Sequence, residues 1–232
     1  MTAKYIALIP VRKGSRSIPL KNAKDFAGRP LFLWVAEAAC NCKRINSVYV
    51  ATDSDIIMEA VSNQEHFDPQ GKLKVVSRKP ENATDKAPMV DIMLEFAEKV
   101  DFKNLIVIQA TSPLLRSDAL SAGIAKFESQ DYDSVVSVVN QDAFIWKEHY
   151  QYAFPVNHEL LFRPNRQEFK GALVENGAFI IRSREALMES KARLSGKVGL
   201  YQMSRENYLQ IDKPSDWIAI EALLKYRINF KG

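Results

Sequence analysis

Apolar residues along this chain gather in short unbroken runs, separated by stretches with helical spacing. Residues 4–10 (KYIALIP) form the first run, closed by a proline that cannot extend a strand's pairing. Residues 47–52 (SVYVAT), 72–77, 104–109 (NLIVIQ) and 134–139 repeat the pattern with β-branched and aromatic side chains, and each predicts a strand. Residues 31–39, the stretch opened by Asp53 and Ser54 and running to about 62, and residues 117–128 predict helices. From 86 to 100, Met89, Ile92, Met93, Phe96, Ala97 and Val100 recur at three-to-four spacing, as on one face of an amphipathic helix. Strands of continuous apolar character alternating with helices predict a largely parallel sheet covered on both faces. The alternation breaks at 140–170, where Tyr, Phe, His, Pro and Asn crowd together without periodicity. An excursion of that length inside a compact domain has a task, and contact between subunits or covering of a site are the two expected. A strand at 177–182 and a helix from 214 to about 229 close the chain.

A length of 232 residues suits one large domain over 1–232 carrying an inserted arm at 140–170. Hydrophobic residues at 47% and charged residues at 26% are the proportions of a soluble globular protein. The net charge of +4 is too thin for a polybasic surface, so neither nucleic acid nor membrane is expected as a partner. It conceals an asymmetry. Residues 1–24 hold Lys4, Arg12, Lys13, Arg16, Lys21 and Lys24 with no acid, which leaves the rest of the chain at −2. Cys40 and Cys42 sit too close to pair within a helix or strand, and His66, His149 and His158 are scattered, so no disulfide and no zinc pattern is expected. With no apolar run near transmembrane length and a basic stretch after the first strand, a reducing, cytoplasmic setting is expected. G-x-G-x-x-G, the Walker loop, the G-x-S-x-G elbow and H-E-x-x-H are all missing from the sequence.

The local cation excess falls at an informative place. Residues 11–24 (VRKGSRSIPLKNAK) begin at the carboxyl end of the first strand, the edge where parallel sheets hold ligands. Gly14 permits close backbone approach, Ser15 and neighbouring N–H groups are anion donors, and Arg12, Arg16 and Lys21 neutralise charge. Together they make a phosphate cradle without a Walker motif; the alternative is a solvated basic loop.

The stretch LIPVRKGSRSIPLKN also resembles the amino-terminal signature of the CMP-sialic acid synthetases, the N-acylneuraminate cytidylyltransferase family. Arg12, Gly14, Ser15, Pro19, Lys21 and Asn22 match it, while Val11 replaces an Ala and Arg16 a Lys. Further segments resemble the family in the same order: Ala51-Thr52-Asp53, Gln109-Ala110-Thr111-Ser112-Pro113, Tyr132-Asp133-Ser134, Phe144-Ile145-Trp146, Glu175-Asn176-Gly177 and Gln210-Ile211-Asp212 through Trp217. The resemblance implies a Rossmann-like nucleotidyltransferase, an α/β fold with a mixed, mostly parallel sheet flanked by helices and a small dimerisation arm. It implies transfer of CMP from CTP to the anomeric hydroxyl of a nonulosonic acid, sialic acid or KDN, with release of pyrophosphate, by a homodimer using Mg2+.

The same resemblance distributes the roles. Arg12, Ser15, Arg16 and Lys21 hold the triphosphate, with Arg12 or Lys21 stabilising the departing pyrophosphate, and Asn22 meets the cytosine. Arg78 is either a nucleotide contact or a solvated residue after a strand. Gln109 contacts the sugar acid; a polar residue ending an apolar strand points to a site on its own account. Asn176 and Gly177 wall the same pocket or make a turn, and Arg163 and Arg166 pair with the substrate carboxylate or form rim salt bridges. Asp212 is the metal ligand, and Asp216 either supports it through water or favours the dipole of the final helix.

Departures from the pattern bear on substrate and activity. Gln210 stands where the first Asp of D-I-D is usual, removing one charge from the metal segment. Asp85-Lys86-Ala87-Pro88 and Ile180 replace hydroxyl-bearing positions, which shifts the expected preference within the nonulosonic acids. Two alternatives follow: activation of another acidic sugar such as KDO, and a nucleotide-binding protein with impaired catalysis.

Overall fold

The computed structural model describes residues 3–15, 17–64, 66–84 and 86–230. Arg16 and Asp85, both singled out above, lie outside the described residues. A seven-stranded sheet forms the centre, built from β1 (Ala3–Pro10), β4 (Ser47–Thr52), β5 (Leu73–Ser77), β6 (Phe102–Ile108), β7 (Ser134–Gln141), β10 (Ala172–Ser183) and β11 (Val198–Met203). Its order is β11-β7-β10-β6-β1-β4-β5. β1 runs parallel to β4 and β6, β4 to β5, and β11 to β7, while β10 is antiparallel to both of its neighbours. The sheet is therefore mixed and mostly parallel, as expected.

β1 shows why the strand runs are continuous in hydrophobicity. Tyr5, Ala7 and Ile9 pack on one face with α1 (Leu31–Cys40), α2 (Asp55–Ser62) and α4 (Ser117–Glu128). Ile6 and Leu8 pack on the other with α3 (Met89–Lys99) and α5 (Arg184–Ser190). Side chains alternate between faces, and both faces are dry. α4 lies so close to the sheet that a Cβ on Gly123 would come within 2.6 Å of the Phe179 ring.

A third apolar cluster shapes the site. Ile18 from the first loop and Phe26 of the small hairpin β2 (Asp25–Phe26) and β3 (Arg29–Pro30) pack with Leu114, Ile211, Trp217 and Ile220. Trp217 and Ile220 belong to α6 (Pro214–Phe230), so the basic loop and the 210–213 segment share one anchor. Asp216 begins α6 by accepting the N–H groups of Asp212 (3.0 Å) and Lys213 (2.8 Å). Its carboxyl is held below the usual range by those bonds.

The 140–170 stretch, expected to lack periodicity, contains a hairpin of β8 (Trp146–His149) and β9 (Tyr152–Pro155) that stands apart from the main sheet. Phe144 stacks on Phe169 with centroids 4.3 Å apart, and His158 meets both Phe144 and Trp146 edge-on. The arm thus carries its own small aromatic cluster while exposing Tyr150, Tyr152, Leu161 and Phe162. Among the described residues, no helix is long and apolar enough to cross a membrane.

Candidate active site

A cleft of about 250 Å³ opens at the carboxyl ends of β1 and β6. The loop after β1 contributes Arg12, Ser15, Lys21 and Asn22, Gln109 follows β6, and Arg78 follows β5. Residues as distant in the chain as Arg12 and Gln109 are thus brought to one wall-and-floor arrangement by the parallel order of their strands. Met89 and Ile92 of α3 supply an apolar side, and Gly14 lies at the lip with no heavy atom within 4 Å of where its Cβ would stand.

Lys21, Asn22 and Arg78 are each held from behind. Lys21 is 13% exposed at its side chain; its Nζ donates to the Ile211 carbonyl at 2.7 Å and lies 3.8 Å from an oxygen of Asp212. Burial pulls its pKa below that of a free lysine, Asp212 works against that shift, and Arg12 adds to it. The Asn22 amide donates to the Arg12 carbonyl at 3.4 Å, and the Lys13 N–H donates to Asp53 at 2.8 Å, so the loop is stitched to itself and to the end of β4. Arg78 is nine-tenths buried and donates to the Asn82 carbonyl. Burial lowers its pKa, while Asp53 and Glu95 oppose the shift. The arrangement is a cationic cleft with a short carboxylate set behind it, fit to take a polyanion in-line.

Other expected site residues lie elsewhere. Asn176 is buried outside the cleft lining, its amide donating to the Asn207 carbonyl at 2.9 Å and to Met203 Sδ at 3.3 Å. Gly177 adopts φ +64°, and a Cβ there would stand 2.3 Å from Gln210 Nε2. Gln210 itself donates to the Asn176 carbonyl, so its amide faces the β10 backbone. Arg163 lies 4.1 Å over the Phe144 ring on the arm, and neither it nor Arg166 lines the cleft. Asp212, 69% exposed, stands at the cleft's edge through its contact with Lys21.

Ala87 and Thr111, from two of the segments singled out in the sequence, also line the cleft; Thr84 in the lining and Glu95 behind Arg78 were not expected. Glu95 did leave a signal: an acid at the margin of the apolar stripe of residues 89–100.

The fold and a cationic cleft at the strand ends are those of a nucleotidyltransferase. A solved CMP:2-keto-3-deoxy-manno-octonic acid synthetase complexed with CTP superposes with a TM-score of 0.72 at 17% identity, covering 97% of this chain and 99% of that one. A cytidylyltransferase family profile matches residues 6–231, and the chain belongs to that family. N-acylneuraminate cytidylyltransferase A of Danio rerio is 37% identical over 226 residues, 95% of this chain and 51% of its own length. N-acylneuraminate cytidylyltransferase of Streptococcus agalactiae is 29% identical over 225 residues, 94% of this chain and 52% of its own. The chain spans about half the length of the curated relatives it matches.

Proposed function

We propose that the protein transfers CMP from CTP to the anomeric hydroxyl of a nonulosonic acid, sialic acid or KDN, and releases pyrophosphate. One observation carries the reading: Arg12, Ser15, Lys21 and Asn22 meet Arg78 and Gln109 around a single cleft. In this displacement the anomeric oxygen forms a bond to the α-phosphorus as the bond to the bridging oxygen of pyrophosphate breaks. The hydroxyl proton passes to solvent or to a phosphate oxygen. Such a transfer is catalysed by positioning and charge neutralisation.

Lys21 and Arg12 take the charge that grows on the leaving pyrophosphate. Lys21 suits this because the Ile211 carbonyl and Asp212 fix its ammonium before substrate arrives. Ser15, with Arg16, cradles the phosphates, and Asn22 reads the base edge with an amide that both donates and accepts. Gln109 orients the sugar acid. Arg163 and Arg166 meet the substrate carboxylate from the arm of a second copy, in a homodimer formed through residues 140–170.

Among the described residues no group of three or more metal-binding side chains occurs, and Asp212 offers one largely exposed carboxylate. That fits Mg2+, which is held by one or two carboxylates with waters and substrate phosphates completing its shell. When bound, the ion neutralises phosphate charge and acidifies the attacking hydroxyl. A reducing cytoplasm suits the two free, buried thiols of Cys40 and Cys42.

Pyrophosphate release from CTP, measured with Mg2+ and a panel of N-acetylneuraminate, KDN and KDO, tests the reading. Release with a nine-carbon acid and little with KDO is expected. No release with any acid, despite measurable CTP binding, overturns the enzymatic assignment.

A further inference from the structure

Arg78 reaches the cleft on a short segment between β5 and α3, and one buried carboxylate holds that segment. Glu95 of α3 is 5% exposed. One of its oxygens accepts the Lys79 N–H at 2.8 Å and the Lys99 ammonium at 2.6 Å; the other accepts the Asn82 side-chain amide at 2.6 Å. Lys99 also donates to the Ser77 carbonyl at 2.7 Å, so both flanks of Arg78 are tied to the same acid. The Asn82 carbonyl then accepts from the Arg78 guanidinium. Arg78 Nε is buried and has no hydrogen-bond partner among the described residues, and the residue itself lines the cleft.

A buried charge is unfavourable unless its bonds compensate for lost hydration. Here burial pushes the Glu95 carboxyl up, and hydrogen bonds from Lys99, Asn82 and Lys79 bring it below the ordinary range. Packing alone does not call for an acid at this place, since Ile92 and Phe96 beside it fill the same side of α3 with hydrocarbon. What does call for one is the 77–82 segment, which presents donors to it: a backbone N–H, an amide and, through Lys99, an ammonium. The acid also sets a negative charge behind Arg78, whose other charged neighbours include Arg12 and Asp53.

We propose that Glu95 is a positioning residue for nucleotide binding: through Asn82 it fixes the Arg78 guanidinium at the cleft wall, where the guanidinium meets an oxygen of the nucleoside triphosphate. This rests on the cytidylyltransferase reading of the cleft. Glu95→Gln replaces one acceptor oxygen with a donor that faces donors, freeing the segment while keeping the side chain's shape.

The test is a double-mutant cycle read by equilibrium binding of CTP with Mg2+ to the full chain. Arg78→Lys weakens CTP binding about tenfold and Glu95→Gln about five- to tenfold, with the KM for the sugar acid unmoved. Adding Glu95→Gln to Arg78→Lys weakens binding less than about twofold more, because its route to the nucleotide is already broken. Asn82→Ala, at a partly exposed position, carries the same cycle with a smaller effect should Glu95→Gln fail to fold. Wild-type CTP affinity in Glu95→Gln, or losses that multiply in the double variant, overturns the proposal and leaves Glu95 a brace of the fold. If the wild-type protein binds no nucleoside triphosphate, the reading of the cleft falls and the proposal falls with it.

Discussion

Lys21 is held by two partners from a segment nearly two hundred residues away, the Ile211 carbonyl and Asp212. A cation fixed in that way contributes more to a developing phosphate charge than a free one, because little reorganisation remains. Lys21→Met is expected to lower kcat/KM for CTP about a hundredfold while thermal stability changes little, measured by pyrophosphate release and thermal melting. Asp212→Ala is expected to raise the Mg2+ concentration needed for half-maximal rate about tenfold or more; an unchanged Mg2+ dependence sinks its role as metal ligand. At this scale the first loop was legible, since Arg12, Ser15, Lys21 and Asn22 are local to one turn at a strand end. The partners behind them were not. Glu95 reaches Asn82 across an inter-element gap, and no local spacing encodes which acid will face which loop.

Among the elements, β10 carries a register irregularity that packs against Gln210. Pairing with β7 shifts register between Glu175 and Ile180, and Gly177 sits within the shift at φ +64° against Gln210. Gly177→Ala forces a side chain into the left-handed region and into the Gln210 amide, so a loss of about 1–2 kcal/mol in unfolding free energy is expected by chemical denaturation. At the opposite end of β1, Glu128 of α4 accepts from Tyr5 at 2.9 Å and pairs with Lys4 at 2.9 Å and with Arg44. The Lys4 and Arg44 bonds hold its carboxyl down at about 2. A depressed carboxylate stabilises the fold above its unfolded value near 4.5 and loses that contribution as pH falls toward 2. Glu128→Gln is therefore expected to melt about 2 °C lower at pH 7, a modest effect for a third-exposed group, and to match the wild type as pH drops through that window. Strands such as Ser47–Thr52 and the helix Ser117–Glu128 emerged from periodicity with their bounds intact. α5, at seven residues, and the edge strand β11, with its alternating burial, were too short or too half-exposed to register as apolar runs. The helix expected from 86 begins at Met89, after Pro88, whose ring limits what precedes it.

For the whole molecule, the arm presents a set of exposed apolar side chains. Tyr150 and Leu161 are 86% and 83% exposed, with Phe162 nearby in sequence, an apolar surface that a second copy would cover. Leu161→Asp with Phe162→Asp is expected to convert a dimer to a monomer in sedimentation analysis; a wild-type monomer at micromolar concentration contradicts the homodimer. The mixed sheet shows where whole-chain reading reached its limit: a largely parallel order followed from alternating elements, but the antiparallel entry of β10 follows from the long arm preceding it, whose path no periodicity describes. The +4 net charge resolves in the same way, since Arg12 and Lys21 converge on the cleft while the remainder of the surface is near balance. The most direct test is phosphorus NMR of CTP incubated with the protein, Mg2+ and a nonulosonic acid. A phosphodiester signal of a CMP-sugar growing in step with pyrophosphate is the predicted result. Unchanged CTP, or its breakdown to free CMP without the diester, would contradict the account.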